Sequence, residues 1–323
     1  MKRVLVTGGA GYIGSHACKA LAAAGFEPVT VDDLSAGHSW AVRWGPLEQV
    51  DVRDTDALER VIDAAQPLGV LHFAARIEVG ESIRAPLAYY RNNVGGLLSV
   101  VEAMSRQGLK HLVFSSTAAV YGEPDRVPIP EDAALRPGNP YGASKHICER
   151  ILDDAAAAGA LRYVALRYFN AAGADPDGEI GEAHEPETHL IPNALRAMLG
   201  RTPPLTVHGG DFPTPDGTPI RDYLHVIDLA EAHVRALHHL IDGGPSRALN
   251  VGTGTGYSVM EVLHACERVL ERPSLYAFGP RRPGDPTRLV AAADSIRSVL
   301  GWQPHHSDLD TIIATAARWH EGC

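Results

Sequence analysis

The chain predicts an α/β fold: a doubly wound parallel sheet, with a smaller C-terminal α/β lobe. Three observations carry this reading. Short β-branched runs alternate with longer amphipathic runs through the first 170 residues, the order expected of strands linked by crossover helices. A cluster of glycines stands between the first apolar run and the first helical pattern. Beyond residue 170 Gly and Pro become dense, and the regular alternation stops.

Taken in order, strands are expected at residues 3–7, 27–32, 69–74, 111–115 and near 162–168. Helices are expected between them at 13–24, 55–65, 87–107 and 141–157, each with apolar residues three and four apart. Asp54 is placed to cap the second helix, and Gly25 and Gly108 stand where helices end. Residues 173–192 and 202–219 read as loops around a helix at 190–199. A helix at 226–242 and a strand at 248–251 are expected to return to the first domain. Helices at 259–270 and 308–320 complete the second lobe. The predicted division is a nucleotide-binding domain over residues 1–170, with a returning segment near 226–253, and a mainly substrate-binding lobe over 171–323.

Composition narrows the function classes. The 323 residues are 45% hydrophobic and 21% charged, ordinary for a soluble globular protein. A net charge of -10 argues against nucleic-acid or anionic-membrane partners. No apolar stretch approaches the length of a membrane helix, and the one at residues 4–6 is too short for a signal peptide. Cys18, Cys148, Cys266 and Cys323 are scattered without a C-x-x-C pair, so neither a zinc site nor a disulfide framework is expected. A cytoplasmic protein without a metal is the expectation.

Gly8-Gly9-Ala10-Gly11-Tyr12-Ile13-Gly14 satisfies G-x-G-x-x-G through Gly9, Gly11 and Gly14, and G-x-x-G-x-x-G through Gly8, Gly11 and Gly14. Glycines there let backbone N–H groups and a helix N-terminus approach a pyrophosphate. Asp32 ends the second strand, placed to meet the adenosine ribose hydroxyls. Asp33 beside it, with no arginine nearby, repels a 2′-phosphate, so NAD is favoured over NADP. Asp51 and Val52 are candidates to flank the adenine.

Tyr141 and Lys145 are four residues apart in a predicted helix, which places both on one face. By itself such a pair is usually a surface contact, with the lysine snorkelling. Joined to a dinucleotide loop, it suggests proton removal from an alcohol while a nicotinamide takes the hydride, because an ammonium beside a phenol favours the phenolate. The loop carrying Ser115, Ser116 and Thr117 follows the predicted fourth strand, where ligands of a doubly wound sheet gather.

With these segments in place, the chain resembles the extended short-chain dehydrogenase/reductase family, and within it the nucleotide-sugar 4-epimerases. The likeness runs through residues 8–16, 72–82, 89–94, 115–122, 141–145, 167–173, 217–228, 250–253 and 281–285. It implies that Tyr141 is the base, with Thr117 its hydroxyl partner at the sugar 4-oxygen. Lys145 would bridge the nicotinamide ribose and lower the tyrosine's pKa. Gly8, Gly11, Tyr12, Ile13, Gly14, Asp32, Asp51, Val52, Phe73, Asn92, Ser115, Tyr141, Lys145 and Tyr168 match positions that hold NAD. Asn170, Arg221, Arg282 and Asp285 match positions that hold a UDP-sugar, and paired guanidinium groups suit a diphosphate.

The departures are informative. Thr117 stands where serine is common. Ile77 replaces a lysine at the cofactor pyrophosphate, with Arg76 the adjacent cation. His189 replaces an asparagine that contacts substrate phosphates. Leu289 aligns with a residue that sets the sugar-pocket size, and is neither the large Tyr nor the small Cys or Ser of other forms. Nucleotide-sugar 4,6-dehydratases carry Asp-Glu where this chain has Ala118 and Ala119, which transfer no protons. The resemblance therefore implies C4 epimerisation of a UDP-hexose through a 4-keto intermediate. UDP-N-acetylhexosamine or UDP-pentose substrates, a dehydratase and a non-catalytic NAD-binding regulator are the alternatives. It also implies a homodimer joined through the helices at 87–107 and 141–157.

Overall fold

A computed structural model describes residues 2–282 and 284–322, so Cys323 and Pro283 lie outside the description. Its centre is a seven-stranded parallel sheet formed by β1 (Lys2–Thr7), β2 (Phe26–Val31), β3 (Leu47–Glu48), β4 (Val70–His72), β5 (His111–Ser115), β6 (Arg162–Tyr168) and β7 (Arg247–Val251). The spatial order is β7-β6-β5-β4-β1-β2-β3, every neighbour parallel. The chain leaves β1 in one direction for β2 and β3, then returns to its other side for β4. Such a switch point opens a crevice at the carboxyl ends of the strands.

Alternation along the strands explains both layers. Val4, Val6, Leu71, Val113 and Val164 turn to one face, where they meet the helices Tyr12–Ala23 and Val226–Ile241. Leu5, Val70, Leu112 and Phe114 turn to the other, against Thr55–Ala65, Gly95–Arg106 and Pro140–Ala157. All nine strand residues are at most 1% exposed, and each such side chain contributes about 1.5–3 kcal/mol relative to exposure. Both the helix Val226–Ile241 and β7 thus belong to the sheet's core, although they follow the Gly/Pro-dense region. Asp54 caps its helix by accepting from Ala57 N at 2.9 Å, and Gly25 and Gly108 take φ of +82° and +67° past their helix ends.

The expected helix at 87–107 is not uniform. Pro86–Tyr89 and Gly95–Arg106 are α-helical, but Tyr90–Val94 form a π turn between them. The side chain of Asn93 explains the insertion: its amide oxygen accepts from Arg76 N at 2.8 Å and its amide nitrogen donates to Arg76 O and to Ser144 Oγ, both at 3.0 Å. The bulge thereby ties the segment after β4 to the helix carrying Tyr141.

The second lobe packs around Leu195, Val207, Tyr223, Leu263, Cys266 and Ile313. Here the expected loops hold short strands. Leu205–His208 pairs with Tyr276–Gly279, and Asn170–Ala172 with Tyr223–His225. Ile220–Arg221 lies between Tyr257–Ser258 and Arg288–Leu289. The helices Val79–Arg84 and Asp294–Leu300 were also outside the expectation. Among the described residues no helix is long and apolar enough to cross a membrane.

Candidate active site

The glycine loop is shaped by contacts that only glycine permits. A Cβ on Gly8, whose φ is +73°, would sit 2.6 Å from Ala74 N, and one on Gly14 would sit 2.1 Å from Gly8 O. Gly11 ends the loop at the N-cap of Tyr12–Ala23 and offers no side chain to cap it, so the helix N-terminus stays open towards the crevice. Asp32 does more than close its strand. Its carboxylate accepts from Ala10 N at 3.0 Å and Leu34 N at 2.9 Å, binding the loop to the end of β2. Two of roughly four lone-pair positions are then used, leaving the others for ribose hydroxyls. Burial raises the pKa of Asp32 while the two backbone N–H groups lower it. This cradle, with the adjacent acids Asp32 and Asp33 at its rim, fits NAD.

Val52 is buried beneath Gly96, where a Cβ would approach its Cγ1 to 2.7 Å. Phe73 stacks at a tilt on His233, ring centroids 4.6 Å apart. Tyr12 leaves the loop and donates to Gly173 O at 2.6 Å, joining the two halves of the chain. Asp51 pairs with Arg53 in its own loop, 2.5 Å apart, and Arg76 pairs with Glu81 at 2.8 Å. Asn92 lies in the π turn, and Ile13 opens the first helix.

The catalytic candidates converge at the carboxyl end of β5. Asn139 caps the helix Pro140–Ala157 by accepting from Gly142 N at 2.9 Å, which sets Tyr141 in its first turn. Gly142 allows the close approach that follows: a Cβ there would lie 2.6 Å from Ala119 O. The helix can therefore press Tyr141 towards the loop carrying Thr117, whose hydroxyl accepts from Ala119 N at 3.1 Å. Lys145, 2% exposed, donates to Ser115 O at 2.7 Å and lies over the Phe114 ring at 4.8 Å. Ser115 Oγ and Tyr168 OH are 2.8 Å apart.

Burial pushes the Tyr141 phenol upward, Tyr168 adds to this, and the Thr117 hydroxyl opposes it. Lys145, one turn along the helix, directs its ammonium at the Ser115 carbonyl. Burial also lowers Lys145, to about 8. Desolvation thus disfavours the phenolate form of Tyr141.

A buried polar network supports this constellation, and sequence reading missed it. Arg167 grips Glu149 with Nε at 3.0 Å and Nη2 at 2.6 Å, both side chains nearly unexposed. Glu149 also accepts from Ser116 Oγ at 2.5 Å. Arg167 donates to Tyr121 OH at 3.0 Å, and Tyr121 donates to Asn250 Oδ1 at 2.7 Å. Glu149 lies one turn beyond Lys145 on its helix, so the network fixes the Thr117 loop against that helix.

Across the crevice, Arg221 Nη2 lies 2.5 Å from Asp285 Oδ1 and donates to Pro286 O at 2.8 Å. Asn170 is anchored by its backbone N–H to Asp222 O at 2.9 Å. Asp285 N donates to Arg282 O at 3.2 Å, so Arg282 shares the loop of Asp285. Leu289 pairs in register with Arg221 and packs on the cluster containing Ala118, Val120 and Tyr121. His189 stands at the N-cap position of Leu190–Met198 without capping it by its side chain, its Nδ1 2.5 Å from Glu182 Oε1. Glu182, His184, Glu187 and His189 gather their ligand atoms within 4.8 Å of one another. The E-x-H-x-x-E-x-H spacing was the available signal for that group.

A Rossmann cradle for NAD, facing a buried Thr–Tyr–Lys set, defines a nicotinamide-dependent enzyme of the short-chain dehydrogenase/reductase type. The model of the NAD dependent epimerase/dehydratase family matches residues 4–252, and the chain belongs to that family. It is 54% identical over 317 residues to the UDP-glucose 4-epimerase of Rhizobium meliloti, spanning 98% of this chain and 96% of that protein. Among solved structures it is similar to the UDP-glucose 4-epimerase of Brucella ovis in complex with NAD, with TM-score 0.96, 51% identity and 98% of each chain covered. It is also similar to the UDP-glucose 4-epimerase of Stenotrophomonas maltophila with bound NAD and formylated UDP-arabinopyranose. There the TM-score is 0.96 at 39% identity, covering 100% of this chain and 98% of that one.

Proposed function

We propose that this chain catalyses the reversible C4 epimerisation of a UDP-hexose, interconverting UDP-glucose and UDP-galactose through a 4-keto intermediate. The observation that carries the reading is the convergence of Thr117, Tyr141 and Lys145 at the end of β5, with only Ala118 and Ala119 where an eliminating enzyme needs an acid and a base. NAD, when bound, accepts the C4 hydride and returns it to the opposite face of the sugar.

Tyr141 takes the 4-hydroxyl proton and gives it back, and the Thr117 hydroxyl holds the 4-oxygen in line with it. Because burial raises the phenol's pKa, a nearby positive charge must offset that effect, and Lys145 is the cation this chain supplies one helical turn away. Arg221 and Arg282 hold the diphosphate, so that the sugar turns while the nucleotide stays fixed. Asn170 and His189 flank that grip. Leu289 borders the sugar, and its intermediate size supports a pocket open to hexoses. The lobe over 171–323 supplies most of the substrate contacts.

Exposed Leu87, Leu98 and Ile147, from 39% to 65% exposed, support a homodimer through the segments at 87–107 and 141–157. Buried free thiols at Cys18, Cys148 and Cys266 support a reducing, cytoplasmic setting. The reaction belongs to galactose metabolism.

The test is to incubate purified protein and NAD with UDP-galactose and no reductant, with UDP-N-acetylglucosamine alongside. UDP-glucose is the expected product; its absence refutes the proposal. Tyr141→Phe should lower turnover by about 10²–10⁴ while NAD stays bound, and near wild-type turnover would remove Tyr141 from the role of base.

A further inference from the structure

The loop ahead of the helix Leu190–Met198 holds a set of side chains of which the epimerase reading uses only His189. Glu182 and Glu187 are buried carboxylates, 5% and 2% exposed at the side chain, and they face His184 and His189. Both imidazoles present the same nitrogen to one Glu182 oxygen: Nδ1 of His184 at 3.1 Å and Nδ1 of His189 at 2.5 Å. Glu187 stands across from both, 3.4 Å from His189 Nδ1 and 3.9 Å from His184 Nδ1. One ligand atom from each of the four groups lies within 4.8 Å of the others, so they form one cluster rather than two separate pairs.

We propose that Glu182, His184, Glu187 and His189 form a tetrahedral site for a divalent transition-metal cation, with zinc the best match. A tetrahedron with metal–ligand bonds of about 2.0–2.2 Å has edges of roughly 3.3–3.6 Å. Glu182 Oε1 lies 2.5 and 3.1 Å from the two Nδ1 atoms, and Glu187 approaches them with Oε1 at 3.4 Å and Oε2 at 3.9 Å, so a bound ion needs the four groups to spread slightly and Glu187 to turn one oxygen towards the other three. Two imidazole nitrogens with two carboxylate oxygens are a donor set that zinc accepts.

The surroundings hold the ligands in place. Glu187 Oε1 accepts from Thr188 N at 2.8 Å and His189 N at 2.9 Å, which fixes its carboxylate. Trp319 donates to Glu182 O at 3.0 Å and packs on Gly181, where a Cβ would meet its ring at 2.4 Å. His189, 44% exposed at the side chain, gives an ion access from solvent. All four ligands come from eight consecutive residues, so the site needs no domain movement to assemble. Its role is structural: it cross-links the loop in front of Leu190–Met198 within itself. Coordination through Nδ1 also leaves Nε2 of His189 free to donate.

The test uses untagged full-length protein, purified without metal resin, dialysed against chelator, then incubated with Zn²⁺ or Co²⁺ and desalted. One metal per chain is expected, with a visible cobalt spectrum of tetrahedral strength that added zinc removes. The variant His184→Ala/His189→Ala should bind at least about tenfold more weakly, whereas replacing the exposed His264 by Ala should change nothing. No stoichiometric metal on the wild-type protein, a weak octahedral cobalt spectrum, or equal retention by the double variant overturns the proposal. The wild-type measurements decide the matter even where the double variant unfolds. Metal content and spectrum are read without turnover, so they stand apart from the epimerase assay.

Discussion

Lys145→Met separates what this lysine does for the reaction from what it does to the fold. Methionine keeps the length and apolar stem but removes the ammonium. In the folded protein burial holds Lys145 at about 8 against an ordinary 10.5. At about 1.4 kcal/mol per pH unit, keeping the group charged costs the fold about 3 kcal/mol near neutrality. The folded pKa is the lower one, so between pH 8 and 10.5 the unfolded chain binds more protons than the native protein. Stability rises with pH through that window, and the penalty is complete only below it. Against this, Ser115 O loses its donor at 2.7 Å, and the unpaired carbonyl costs about 1–3 kcal/mol whichever form of Lys145 donates. The variant should therefore match or slightly exceed the wild type at pH 7. It should lose about 2 kcal/mol relative to it by pH 9.5. Urea denaturation of the nucleotide-free proteins at the two pH values measures the difference, and groups common to both cancel. Turnover should meanwhile fall at least about 10²-fold. A stability difference that is the same at both pH values, within about 0.5 kcal/mol, would refute the claim that Lys145 is strained by burial.

Three other perturbations test the scaffold. Gly14→Ala drives a Cβ to 2.1 Å from Gly8 O, and an overpacking cost of about 1–3 kcal/mol should lower NAD affinity about tenfold or more, read by titration calorimetry. Gly142→Ala pushes the Tyr141 helix away from Ala119 O, now 2.6 Å from the ideal Cβ position. Turnover should fall by about 10–10² with NAD affinity unchanged, because the displaced groups act on the sugar. Glu149→Gln leaves the Arg167 guanidinium buried without its carboxylate and should cost about 3–5 kcal/mol in denaturant unfolding. Adding Arg167→Met should recover much of that loss.

What could be read from the sequence followed from periodicity and from residues with one physical use. The strands of the sheet and the helices between them repeat apolar residues at two, three or four positions, and burial on both faces rewards that pattern. The glycine loop and Asp32 were legible because backbone approach to a pyrophosphate requires glycines in that order after a strand. Tyr141 and Lys145 were legible as a pair, since a helix brings residues four apart together. Their electrostatics were not. Spacing says that two groups are near, whereas the pKa of a phenol depends on how much protein surrounds it and where the ammonium points. In this fold the Ser115 carbonyl intercepts Lys145.

The short strands at Leu205–His208 and Ile220–Arg221 escaped for a different reason: two to four residues carry no period, and their pairing partners lie far along the chain. Arg167 and Glu149 read as ordinary charges in a strand and on a helix. Only the crossing of β6 with the helix Pro140–Ala157 makes them one buried pair. Gly142 shows how the two kinds of information combine. In sequence it is a weak helix residue beside the catalytic tyrosine. In space its missing Cβ is what lets Tyr141 approach Thr117, so a local cost in helix propensity of about 1 kcal/mol is retained where chemistry needs close contact.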